Sequence, residues 1–145
     1  MPAKLPQTRS NHVRFDPAFH FFLAPALLLF LLWTVINLVR NLNSTSVSFV
    51  VVAVLMLVTA TKARLYALKV QDRVIRLEER LRLSGLLPEP LRSRIGELTE
   101  TQLIALRFAS DPELPTLVQR ALNENLGAKQ IKEEVREWRP DYWRV

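Results

Sequence analysis

His20, four residues after Asp16, is the side chain whose type and place could ligate a group. On a helix, residues four apart share a face. Such an imidazole could serve as the axial ligand of a haem or a chlorophyll. The chemistry stops there. The chain has two His, His12 and His20, and no Cys. Multi-His metal centres, thiolate metal sites, disulfide frameworks and Cys nucleophiles are thereby excluded. His20 is read instead as an interfacial residue hydrogen-bonded to Asp16 or to lipid headgroups. Glu133 and Glu134 are adjacent carboxylates, but neighbours on a helix point about 100° apart. The three glycines, at 85, 96 and 127, are too far apart for a phosphate-cradling loop or a dinucleotide fingerprint. No catalytic residue, metal ligand or cofactor is assigned, and the chain is read as not an enzyme.

The elements that would hold such groups are located by the charged residues. No Asp, Glu, Lys or Arg occurs between Asp16 and Arg40, or between Arg40 and Lys62. Two apolar runs fill the gaps, Phe19 to Val39 and Val47 to Thr61. The first, 21 residues long, makes roughly 31 Å of helix at ~1.5 Å per residue, enough to cross a hydrocarbon core of ~30 Å. The second gives only ~22 Å. It spans if Thr45 and Ser46 begin the helix and Lys62 and Arg64 snorkel to the interface. A chain of 145 residues cannot wrap two all-apolar helices in other protein. A cleaved signal peptide is disfavoured by the length of the first run and by the lack of an A-x-A site. Arg40 to Ser46 reads as a tight turn, with Ser and Thr suited to cap the second helix.

Orientation follows from the basic flanks. Lys4, Arg9 and Arg14 precede the first run, Arg40 alone lies in the turn, and Lys62, Arg64, Lys69 and Arg73 follow the second. The basic flanks share one side, so both termini are expected in the cytoplasm. Residues 1–83 carry eleven basic and four acidic side chains, a net +7, whereas residues 84–145 carry a net −1. The overall +6 is therefore a property of the membrane flanks and the segment beyond them. The bilayer is the expected partner, with anionic headgroups within reach of Arg14, Lys62, Arg64, Lys69 and Arg73. Ordinary topology-setting charge also accounts for these residues without a specific lipid.

Good helix formers continue from Val47 to Leu83, and Ser84-Gly85 reads as the stop, with Gly85 as a left-handed cap. Ala60, Ala63, Ala67, Val70, Val74, Leu77 and Leu81 are spaced three and four apart in alternation, an a/d heptad seam. Asp72 with Arg76, and Glu78 with Arg82, read as acid-before-base pairs on exposed faces. The seam fits a parallel homodimer or another membrane protein. It also fits packing against the chain's own first span and C-terminal helices.

From Leu86 on, the pattern is that of a small helical domain. Leu91 to Glu97 reads as a short helix. Thr99 and Gln102 form a capping box, with Leu98 and Leu103 as its hydrophobic staple. The helix Glu100 to Ala109 is apolar nearly all round and is expected at the centre. Ser110-Asp111-Pro112-Glu113 reads as the start of a helix reaching Asn125. A last helix begins at Ala128 with Gly127 as N-cap, turns Ile131, Val135 and Trp138 inward, and ends at Arg139-Pro140. The segment Leu98 to Ala109 followed by Leu126 to Lys132 is similar to the opening helices of helix-turn-helix regulators. No recognition helix follows, and the net charge is −1, so nucleic acid is disfavoured as a partner.

Tyr66–Leu83, Leu98–Asp111 and Trp138–Val145 (W-R-P-D-Y-W-R-V) together resemble a family of small bacterial membrane proteins labelled only as a domain of unknown function. The N-terminal Asn11–Pro17 belongs to the same resemblance, which covers nearly the whole chain. Gly127-Ala128 stands where that family's pattern would place Ser-Pro. The resemblance implies two spans, a cytoplasmic C-terminus and a bacterial inner membrane, and it supplies no activity.

The expected fold is all-α: a transmembrane helical hairpin, a long stalk helix and a cytoplasmic three- or four-helix domain. Its parts are an N-terminal segment 1–17, a hairpin 18–62 with spans at about 19–39 and 45–62, a basic stalk 63–85 and a domain 86–145. The expected role is that of a non-enzymatic accessory or interaction protein of the inner membrane, with no small-molecule substrate evident. The alternative is a membrane-tethered regulator whose C-terminal domain binds nucleic acid.

Overall fold

A computed structural model of the chain describes residue 8 and residues 16–141. The described residues are helical throughout, apart from turns and one isolated bridge, and they divide into two compact units, 16–69 and 70–141.

The first unit begins with a π-helical turn, Ala18–Leu23, which runs directly into α1, Ala24–Arg40. Pro25 explains the wide turn. It has no N–H to donate four residues back and its ring crowds that carbonyl. The Ala24 N–H reaches five residues back to Phe19 O instead. A short turn at 41–43 leads into α2, Ser44–Leu86. Asn43, rather than the expected Ser or Thr, supplies the cap: its Oδ1 accepts from the Ser46 N–H at 2.9 Å. Ser46 Oγ in turn accepts from Asn37 Nδ2 at 3.4 Å, tying the turn to α1. Ala18–Arg40, the π-helical turn with α1, and Ser44–Leu86 are each long and apolar enough to cross a membrane.

α2 passes through Gly85, which does not take a left-handed conformation. The expected stop at Ser84-Gly85 is therefore corrected to Leu86. Leu83 and Leu87 are fully buried on either side of the glycine, and the Leu87 N–H still bonds back to Leu83 O. Burial of these two side chains holds the helical turn, and Pro88 ends it.

In the second unit a 3-10 turn, Arg92–Glu97, precedes α3 (Glu100–Leu106), α4 (Leu114–Asn123) and α5 (Ala128–Glu134). The capping box at the start of α3 forms in both directions, with Gln102 N–H to Thr99 Oγ1 at 3.3 Å and Thr99 N–H to Gln102 Oε1 at 2.8 Å. Leu103, Ala105 and Leu106 of α3 are fully buried and share a core with Leu83, Leu87, Leu114, Val118, Ala121 and Ile131.

The bounds of α3, α4 and α5 differ from expectation, and α4 ends at Asn123 and not Asn125. α3 stops at Leu106 and not Ala109, because Ala109 pairs with Trp138 in an antiparallel bridge. α4 starts at Leu114, not in the Ser110 turn, because Glu113 is engaged elsewhere: its Oε1 accepts the N–H groups of Arg136 and Glu137. Those bonds, with the bridge, also end α5 at Glu134, so Val135 and Trp138 pack inward from extended chain. At the end of α4, Asn125 takes φ of 51° and the Leu126 N–H bonds to Ala121 O, a Schellman closure.

Candidate functional site

The second unit contains a polar cleft of about 430 Å³, bounded by Ile75, Glu78, Glu79, Arg82, Arg107, Arg139, Pro140 and Asp141. Its floor is Glu79, only 4% exposed although it sits on a helix. The periodicity of α2 explains the burial. Ile75, Glu79, Leu83 and the following Leu87 recur every four residues, and all four are buried in this unit. An acid within an apolar stripe must find partners. Glu79 accepts from Arg82 Nη1 at 3.1 Å and from Arg139 Nη1 at 3.4 Å.

Arg82 also donates through Nε to Asp111 at 2.9 Å and through Nη2 to Ala109 O at 2.8 Å. Arg107 is 5% exposed, lies 3.4 Å from Asp141, and sets its guanidinium 4.4 Å from the centre of the Phe108 ring. Trp138 packs on Phe108 at 4.9 Å. Burial pushes the Glu79 carboxyl above the usual carboxylate range, against the opposing pull of Arg82, Arg139 and Arg107.

A buried, perturbed carboxylate in a cleft is where catalysis is often sought. Here the three arginines are met by Glu78, Glu79 and Asp141 in the cleft and by Asp111 on Arg82, and among the described residues the groups bounding the cleft include no hydroxyl or imidazole. What this arrangement can do is hold. It ties α2 to the loop after α3 and to the segment after α5. Sequence reading missed it because the partners of Arg82 and Glu79 lie 29 and 60 residues away. The one available signal was an acid at the 75-79-83 spacing.

The residues singled out from sequence fall elsewhere. His20 Nδ1 lies 2.9 Å from the Asp16 backbone oxygen, and its ring meets Phe19 edge-on. Asp16 itself pairs with Arg64 at 3.4 Å. Lys62, Lys69 and Arg73 are exposed, and Arg14 lies outside the described residues. Of the heptad seam, Ala60 is half-buried and Ala63 and Ala67 are exposed. Val70, Val74, Leu77 and Leu81 are 61, 48, 59 and 65% exposed. Glu133 and Glu134 do not act together, since Glu134 pairs with Arg120. The expected Asp72–Arg76 and Glu78–Arg82 pairs also give way. Arg76 reaches Glu100 and only the backbone oxygen of Asp72, and Arg82 chooses Glu79 and Asp111. Among the described residues no cluster of three or more His, Asp or Glu could hold a metal ion.

Residues 3–145 match the sequence model of a Family of unknown function (DUF6526). The chain belongs to this family. No curated protein and no solved structure matches it. Membership in DUF6526 carries no activity with it, so any role for the chain must be argued from its own residues.

Proposed function

We propose that the chain is a two-span integral protein of the bacterial inner membrane, with both termini in the cytoplasm. It presents its C-terminal helical domain there as a non-enzymatic accessory or interaction module. Its partners are the bilayer, with anionic headgroups near the basic flank, and either a second copy or another membrane protein. The observation that carries this reading is the surface of residues 18–61. Phe21, Phe22, Leu29 and Trp33 of the first span are 72, 73, 67 and 55% exposed, and Leu55 of the second is 59% exposed. Hiding one such side chain from water is worth about 1.5–3 kcal/mol. A surface built from them is stable in lipid and costly in water. The Asp16–Arg64 pair further supports a hairpin, since it joins the flank before the first span to the flank after the second.

The test uses the absence of Cys from the chain. Ser44→Cys in the turn and Ser93→Cys in the C-terminal domain are each treated with a membrane-impermeant maleimide in intact spheroplasts. Labelling at Ser44→Cys alone is expected, with Ser93→Cys reacting only after lysis. Labelling of both, or of Ser93→Cys alone, contradicts the reading.

A further inference from the structure

We propose that the heptad face of α2 pairs in parallel with the same face of a second copy of this chain, held in register by Arg73 of one copy against Glu78 of the other. The inference rests on the membrane-anchored reading above and names its partner.

Beyond Lys69, α2 carries two apolar stripes. Ile75, Glu79 and Leu83 are buried by the chain's own core and ion pairs. Val70, Val74, Leu77 and Leu81 are not. Residues two apart lie about 200° round a helix, so Ile75 and Leu77, or Glu79 and Leu81, point nearly opposite ways. One face is used within the copy, and on the other Val70, Val74, Leu77 and Leu81 are exposed. The heptad seam runs along this exposed face and continues back to the half-buried Ala60. Its a positions are Ala60, Ala67, Val74 and Leu81, and its d positions are Ala63, Val70 and Leu77. A β-branched residue at a with Leu at d favours two strands; Val74 and Leu77 follow that pattern, whereas Leu81 at a and Val70 at d reverse it, so the flanking charges and not the apolar residues select the pair. The alanines at the membrane-proximal end allow close approach of the helices.

The charges flanking the seam select both occupant and direction. The g positions are Tyr66, Arg73 and Arg80, and the e positions are Arg64, Gln71 and Glu78. In a parallel pair each g residue meets the e residue of the partner's next heptad. Arg73 then meets Glu78 twice, by symmetry. Both are exposed, and neither makes an ion pair with a described residue of its own chain. An antiparallel pair sets g against g, bringing Arg73 and Arg80 together. Two copies whose α2 helices leave the bilayer in the same sense can only meet in parallel. Confinement to one membrane also raises their effective concentration, which lets a seam of about three heptads suffice.

The experiment uses the full chain in carbonate-washed native membranes. Under mild oxidation, Val74→Cys and Leu77→Cys are expected to give a disulfide-linked dimer. Leu65→Cys and Lys69→Cys, exposed at outer heptad positions, are expected to give little. In the Val74→Cys background, R73E or E78R alone loses most of that dimer, and R73E with E78R regains it. Equal crosslinking at all four positions overturns the pairing, because it indicates random collision. A Val74→Cys adduct to a different protein overturns it as well. So do charge reversals without effect, or a double variant that is not rescued. A chain that stays in the washed membrane without seam crosslinks refutes the pairing alone. A chain that leaves with the wash refutes the membrane reading and the parallel entry built on it.

Discussion

Residues 16–69 and 70–141 use the same apolar side chains in opposite ways. In the first unit Leu28 and Leu29 are 54 and 67% exposed, whereas in the second Leu103 and Leu106 are fully buried. Buried polar groups are sparse in the first unit, where Ser46 at the turn accepts from Asn37 of α1. Thr34 is buried in the first unit and bonds to its own helix, at Leu31 O. Buried polar groups of the second unit bond across elements, as Gln102 does to Ala121 O and Leu126 O. The first unit has the exposed apolar surface that the proposed reading places in lipid, where each helix satisfies its own backbone. The second is organised by water, with an apolar centre and charged faces.

The largest expected effect falls on the water-ordered core. Phe108 is 1% exposed and is held between Arg107, Lys132 and Trp138. Phe108→Ala should destabilise the second unit by about 3–5 kcal/mol. Thermal unfolding of the full chain in detergent micelles measures this, and membrane retention should not change.

A sharper contrast pairs Leu55 with Leu81, which are 59 and 65% exposed. Leu55→Arg should oppose insertion by about 2.5–3.5 kcal/mol, as expected for a charge within a span. Leu81→Arg should leave membrane retention as it is. Similar losses from the membrane pellet for both variants would erase the distinction between the two units.

A smaller effect is expected at Gln102. Gln102→Ala removes half of the capping box and leaves two acceptors in the core without their donor. The expected loss is about 1–3 kcal/mol in the same unfolding assay.

The smallest effect is the pH response of Glu79. Its carboxyl is held above the usual range, so between its folded and ordinary values the folded state binds more protons. Its contribution to the stability of the second unit therefore rises as pH falls through that window, and Glu79→Gln should remove the rise. Glu97 and Glu124 are lowered by hydrogen bonds from Arg94 and Arg120, so their contributions are lost as pH falls below the ordinary carboxylate range. Unfolding curves of the native chain and Glu79→Gln across that range separate the two signs.

The parts of this fold legible in sequence were those specified locally. The charge-free runs between Asp16, Arg40 and Lys62 marked both long apolar helices, and Thr99 with Gln102 marked the start of α3. The failures came where a local signal met a distant partner. Gly85 reads as a stop until Leu83 and Leu87 are seen to be buried together. Ser110 reads as a cap until Glu113 is seen to hold Arg136 and Glu137. Trp138 reads as the end of a helix until it pairs with Ala109. The Glu79 cleft is the extreme case. Its partners come from the loop after α3 and the segment after α5, and neither advertises itself in the composition of α2.

The central claim is that residues 18–61 are dissolved in lipid, and extraction of native membranes at alkaline pH tests it most directly. The full chain should remain in the pellet after carbonate treatment and leave it only with detergent. Release of the full chain into the carbonate supernatant, with its C-terminal domain still folded, would contradict it.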